Sequence, residues 1–144
     1  MENTYTRNAF RLLQASDEIR ARISGEFSSI HGISVNEFLL MRHLENASLH
    51  RLARVELAKR MHVNASTVTR MVAPMEKIGL LERQSHERDA RLSFVALTDT
   101  GRTRFGEAQA TFAKQAGYIF GNGWSKGELE NLSDMLGRVT GDPA

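Results

Sequence analysis

Cysteine is absent from all 144 residues, which excludes disulfides, thiolate metal ligands and thiol redox switches. Proline occurs only 2 times, and no apolar run approaches the roughly 18 residues a membrane-spanning helix needs. The opening Met1-Glu2-Asn3-Thr4-Tyr5-Thr6-Arg7 is polar and lacks a signal-peptide hydrophobic region, so a cytoplasmic chain with no membrane partner is expected. Metal-ligand spacing is also missing. His31, His43, His50, His62 and His86 are scattered without HxxxH or HExxH spacing, and no nucleophile elbow or phosphate loop accompanies them. No metal, no cofactor and no enzymatic activity are therefore expected. What remains is 41% apolar and 25% charged residues, the composition of a chain that buries a core. At this length one domain is the expectation.

The formal net charge of +2 conceals an uneven distribution. Between Arg51 and Arg104 stand 11 basic and 6 acidic residues, a surplus of five, whereas the rest of the chain has an acidic surplus of three. A basic middle between mildly acidic ends points to a polyanionic partner for the middle.

Periodicity predicts six helices and a hairpin. From about Thr6 to Ile30, Ala9, Phe10, Leu13, Ile19, Ile23, Phe27 and Ile30 recur mostly at three- and four-residue spacing, which gives a long amphipathic helix ended by Gly32. Ser34 and Glu37 form a capping box for a second helix, Val35 to about Asn46, that buries Phe38, Leu39, Met41 and Leu44 or a subset of them. A connection from Ala47 to Ala53 leads to a third helix, Arg54 to Met61, with Val55, Leu57, Ala58 and Met61 inward. Asn64 is a favoured N-cap for a fourth, whose apolar stripe is Val68, Met71, Val72 and Met75.

The other face of that fourth helix carries Ala65, Ser66, Thr67, Thr69, Arg70 and Ala73. Small and hydroxylic side chains let a helix approach another surface closely, where an ordinary solvated face would carry more charge. Pro74 predicts a kink or loosened turn near Arg70, because an interior proline cannot donate to the carbonyl four residues back. Gly79 closes the helix. Leu80 to Gln84 and Leu92 to Leu97 read as paired strands, joined by the polar loop Ser85-His86-Glu87-Arg88-Asp89-Ala90-Arg91. Thr98 or Asp99 caps a fifth helix reaching about Phe120, with Phe105, Ala108, Phe112, Ala116 and Ile119 as its stripe. A second capping box, Ser125 with Glu128, starts a sixth helix with Leu129, Leu132, Met135 or Leu136, and Val139 inward.

A helix, a short connection, a helix with a small-residue face and then a basic hairpin is the order of a winged helix-turn-helix, with the second helix suited to a DNA major groove. Val55-Glu56-Leu57-Ala58, Asn64-Ala65-Ser66-Thr67-Val68-Thr69-Arg70, Leu80-Leu81-Glu82-Arg83, His86-Glu87-Arg88-Asp89-Ala90-Arg91 and Ala96-Leu97-Thr98-Asp99-Thr100-Gly101 together resemble the multiple-antibiotic-resistance-regulator (MarR) family. The resemblance covers about residues 33 to 104, and Ala53 and Pro74 depart from its usual pattern. It implies a mostly α fold with a small β-hairpin wing. Residues 33–98 would form the winged DNA-binding lobe of a single chain, with 5–31 and 99–140 as a helical dimerisation stem. It further implies a homodimer on double-stranded DNA, reading a pseudo-palindrome with recognition helices about 34 Å apart, and repression is favoured over activation. Phe10, Leu13, Phe112, Phe120, Trp124, Leu132 and Leu136 would supply the dimer interface.

Within that frame Ala65, Ser66, Thr67, Thr69 and Arg70 are the recognition-helix candidates. Arg70 suits a guanine or a phosphate. Arg88, Asp89 and Arg91 are the wing candidates, Arg91 entering a minor groove and Asp89 orienting it. Arg51, Arg54, Lys59, Arg60 and Arg83 are candidate phosphate contacts. The resemblance also brings a small aromatic or anionic effector in a cleft between stem and lobe, for which Leu13, Asp17, Phe38 and Met41 are candidates. Two other functions stay open: an effector-independent regulator, and a winged-helix protein-interaction module that does not bind DNA.

Overall fold

The computed structural model describes residues 1–85, 88–89 and 92–141. Its chain divides into two compact units, Met1–Phe112 and Ala113–Ala144.

The first unit begins with α1, Thr4–Glu26, started by the Asn3 side chain accepting from Thr6 N at 2.8 Å. The N-terminal half of α1 is exposed, and burial starts only at Ile19, Ile23 and Phe27. A π-helical turn, Phe27–His31, follows and ends on Gly32 in the left-handed region, φ +64°. This wide turn corrects the expected stripe. It inserts an extra residue into the helical count, so Ile30 faces out and His31 is buried in its place. His31 Nε2 pairs with Thr111 Oγ1 at 2.7 Å.

In α2, Val35–Glu45, the capping box is complete: Ser34 N donates to Glu37 Oε1 at 2.8 Å and Glu37 N to Ser34 Oγ at 3.1 Å. The helix packs against α1 and, further along the chain, against a third helix and two strands, which explains why Leu40 is buried with Phe38, Met41 and Leu44. The connection expected from Ala47 to Ala53 ends in a strand, β1, Arg51–Ala53, too short for a periodic signal. It is followed by α3, Arg54–Met61, and α4, Ala65–Lys77. The hairpin strands are β2, Leu81–Ser85, and β3, Ser93–Leu97. The sheet is antiparallel in the order β1-β3-β2, with Leu52 opposite Val95 and Leu81 opposite Leu97. Its buried residues join those of α2, α3 and α4 in one core with Ile23, Phe27 and Phe105.

One expectation for α3 needs correction. Val55 is 70% exposed, not inward, because the buried side of the two-turn α3 is set by Leu57 and Ala58 and Val55 falls well off that stripe. The helix α4 continues through Pro74 to Lys77 without interruption. Pro74 has no N–H to give the Arg70 carbonyl, and Val72 and Met75 are buried on either side of it.

The last helix of this unit, α5, Asp99–Phe120, begins on Thr98, whose Oγ1 accepts from Gly101 N at 3.0 Å. The second unit takes the C-terminal turns of α5, the left-handed Gly121 and α6, Lys126–Thr140, started by the capping box of Ser125 and Glu128. None of the residues of α6 is buried, and Leu129, Met135 and Val139, expected to face inward, are exposed, because this two-helix unit has no further element of its own to cover them. The Phe120 and Trp124 rings meet edge to face at 5.8 Å. Among the described residues, no helix is long and apolar enough to cross a membrane.

Candidate nucleic-acid interface

The turn between α3 and α4 is built by residues 62–64. His62 closes α3 in the left-handed region at φ +57°, Val63 N returns to the Ala58 carbonyl at 3.0 Å, and Asn64 opens α4. The Asn64 Oδ1 accepts from Thr67 N at 2.8 Å, as an N-cap does. It also accepts from Ser66 Oγ at 2.8 Å and Thr67 Oγ1 at 2.9 Å. One oxygen thus organises the whole first turn of α4, a role beyond the capping that its sequence position indicates.

Burial of Val68, Val72 and Met75 turns the opposite face of α4 to solvent. Ala65, Ser66, Thr69, Arg70 and Ala73 are exposed there, and Thr67 is half-buried. The Thr69 hydroxyl donates to the Ala65 carbonyl at 3.1 Å and accepts from Arg54 Nη1, which reaches over from α3. Arg70 Nη2 donates to Thr67 Oγ1 at 3.3 Å. This face therefore combines methyl groups, hydroxyl oxygens and a guanidinium on one rigid helix, the chemistry that fits base edges and phosphates at close range.

Around it the cations are distributed unevenly. Lys59 and Arg83 are exposed, and Arg60 pairs with Glu56 one turn earlier at 3.0 Å. Arg51 is tied into the wing sheet: its Nη1 donates to Gln84 Oε1 at 2.9 Å and its guanidinium lies 4.6 Å from the centre of the Phe94 ring. Nearby, His43 is held below its ordinary pKa of 6.5, first by burial and then by the positive charges of Arg42, Arg60 and His62. In the wing, Arg88 is exposed and Asp89 is half-buried, with Leu92 N donating to the Asp89 carbonyl at 3.1 Å. Arg91, the other half of the expected Asp89 pair, lies outside the described residues together with His86, Glu87 and Ala90.

The four cleft candidates are not brought together. Phe38 and Met41 are core residues, and the Phe38 ring stacks on Phe105 at 5.2 Å; Leu13 and Asp17 are exposed on α1. A groove of about 600 Å³ opens instead between the end of α1 and the start of α2, where Arg20, Ser24, Ser28, Ser34 and Asn36 line it. Arg20 Nη1 donates to Asn36 Oδ1 at 2.8 Å across this groove. Among the described residues no group of His, Asp or Glu could hold a metal ion.

Comparison with known proteins bears on the same region. The model of the MarR family matches residues 33–93, from the turn before α2 to the first residue of β3. The HTH-type transcriptional regulator YdgJ of Bacillus subtilis is 30% identical over 117 residues, covering 81% of this chain and 70% of that protein. This chain belongs to the MarR family. A second relative, the HTH-type transcriptional repressor YetL of Bacillus subtilis, is 29% identical over 106 residues, 74% of this chain. The match spans 63% of YetL, less than two thirds of its length. The MarR fold extends over nearly the whole chain: the crystal structure of Sco3205, a MarR family regulator from Streptomyces coelicolor in complex with DNA, aligns with a TM-score of 0.83 at 19% identity, covering 97% of this chain and 88% of the other.

Proposed function

We propose that this MarR-family chain is a homodimeric, sequence-specific DNA-binding transcription regulator that acts as a repressor. The observation that carries the reading is the solvent face of α4, where Ser66, Thr67, Thr69 and Arg70 stand on a helix started by Asn64 and flanked by the basic α3. The similarly folded Sco3205 is in complex with DNA, and YetL is named a repressor, which supports both halves of the reading.

In this reading residues 33–98 are the DNA-binding lobe, with α4 in the major groove and the wing beside it, Arg91 entering the minor groove with Asp89 as its support. Lys59, Arg60, Arg83 and Arg88 supply phosphate contacts, so affinity falls steeply with salt. The dimer follows from apolar surface left open in both units. Phe10 is 54% and Leu13 62% exposed on α1, and Trp124 is 44% exposed in the second unit. Residues 5–31 and 99–140 are the stem in which a second copy covers them. A small aromatic or anionic effector, for which the groove lined by Arg20, Ser24, Ser28, Ser34, Asn36 and Glu37 is a site, releases DNA only by preferring the conformer that does not bind it.

Selection of bound sequences from a random duplex pool tests the whole reading. Enrichment of a two-fold symmetric site, with affinity falling as salt rises, is the expected result; no enrichment leaves the protein-interaction module as the reading to adopt. Arg91→Ala, assayed on the enriched duplex at fixed salt, addresses the wing. Unchanged affinity would remove Arg91 from the interface.

A further inference from the structure

The first two turns of α4 carry three hydroxyls, and each has already given its proton to an acceptor within the chain. Ser66 Oγ donates to Asn64 Oδ1 at 2.8 Å, Thr67 Oγ1 to the same oxygen at 2.9 Å and Thr69 Oγ1 to the Ala65 carbonyl at 3.1 Å. A hydroxyl has one proton, so while these bonds are kept the three groups meet an incoming partner as acceptors. Arginines take up two of them from within the chain: Arg70 Nη2 lies on Thr67 Oγ1 and Arg54 Nη1 on Thr69 Oγ1.

The two arginines differ in freedom. Arg70 is exposed on α4 itself, so its guanidinium can turn outward. Arg54 is half-buried and belongs to α3, and its Nε is sealed from solvent without a hydrogen-bond partner. It is also the first residue of α3, where a cation opposes the positive end of the helix dipole and where Ala53 offers no side-chain cap. Nothing in the local preferences of α3 favours an arginine there. Its contact with Thr69 is its one described polar interaction, and this bond ties α3 to α4 across the turn.

We propose that Arg54 is a positioning residue for DNA recognition: by holding the Thr69 hydroxyl it fixes the angle at which α4 presents Arg70, and it does not itself bind a phosphate. This rests on the DNA-binding function proposed above. It separates Arg54 from Lys59, Arg60 and Arg83, with which its charge alone would group it.

The test uses the full-length chain and the duplex that wild type enriches from a random pool, with a shuffled duplex of the same composition as the non-specific probe. Affinity for both is measured over a salt series for wild type, Arg54→Ala, Arg54→Lys, Thr69→Val, Thr69→Ser and the Arg54→Ala/Thr69→Val pair, each shown to be folded by its circular-dichroism melt. Arg54→Ala is expected to weaken the enriched duplex about tenfold while leaving the shuffled duplex and the salt slope unchanged. Thr69→Val should show a similar loss and the double variant no more than either single one, as for two residues acting through one bond. Thr69→Ser, which keeps the hydroxyl but loses the methyl group that α4 presents, should retain more discrimination than Thr69→Val, and Arg54→Lys, which keeps the charge without the planar fork, should lose it as Arg54→Ala does. Equal losses on both duplexes, a salt slope lowered by about one and additive single effects would make Arg54 a phosphate ligand and overturn the proposal. Full discrimination by Arg54→Ala would overturn it equally. Failure of wild type to enrich any sequence is a different result, which removes the DNA-binding function itself.

Discussion

The third residue of α5, Gly101, lies so close under the Leu80 carbonyl that a β-carbon built on it would come within 2.0 Å of that oxygen. The close approach is set by Thr98, whose hydroxyl binds back to the Gly79 and Leu80 carbonyls while accepting from Gly101 N. In a solvated helix Gly→Ala gains about 1 kcal/mol. Here the sign reverses, because backbone, not a flexible side chain, has to move. Gly101→Ala is expected to lower the unfolding free energy by about 1–3 kcal/mol in urea titrations. A variant as stable as wild type would mean that the start of α5 can lift off Leu80 without cost.

His43 gives the stability a defined pH dependence. Burial, and then Arg42, Arg60 and His62, hold its folded-state pKa below 6.5, so between that lowered value and 6.5 the unfolded chain binds more protons than the folded one. Stability should therefore be intact above pH 6.5, decline as the pH falls through 6.5 towards the folded-state pKa, and lose nothing more from this group below it. His43→Gln, which cannot titrate, should flatten that decline in denaturation midpoints measured at a series of pH values. The same slope in both proteins would assign it to other groups.

Much of this architecture is legible from local chemistry. The two capping boxes, the Asn64 cap and the left-handed Gly32 and Gly79 mark their helix ends because each is decided by a few adjacent residues. Three features were not legible in this way. The π-helical turn at Phe27–His31 has no sequence signature and moves Ile30 out and His31 in. The three residues of β1 take their conformation from pairing with β3, far along the chain. For the interface, composition identifies the exposed face of α4, but the bond from Arg54 to Thr69 spans 15 positions and depends on how α3 packs against α4. Charge counting places Arg51 and Arg54 with the exposed Lys59, although both are engaged within the fold.

Leu57 is fully buried beneath α3 while Val55 is largely solvated one half-turn earlier. Leu57→Ala should cost about 2–5 kcal/mol through lost burial and the cavity left behind. Val55→Ser should change stability by no more than about 0.5 kcal/mol. Comparable costs at the two positions would return Val55 to the core.

The single tryptophan, Trp124, offers a direct report on the proposed stem. It is partly exposed in one chain, as is Phe10 on α1, so a second copy covering these surfaces should shift Trp124 emission to shorter wavelength as concentration rises, in step with the dimer fraction from sedimentation. Phe10→Asp separates assembly from folding. The side chain is already solvated, so the change should cost the isolated chain no more than about 0.5 kcal/mol, whereas a carboxylate enclosed at an interface must be desolvated without a partner. The variant is expected to remain monomeric over the range in which wild type dimerises, to keep long-wavelength emission at every concentration and to bind a two-fold site no better than a single half-site. A Phe10→Asp protein that still dimerises, with wild-type emission, would place the interface away from this face of α1.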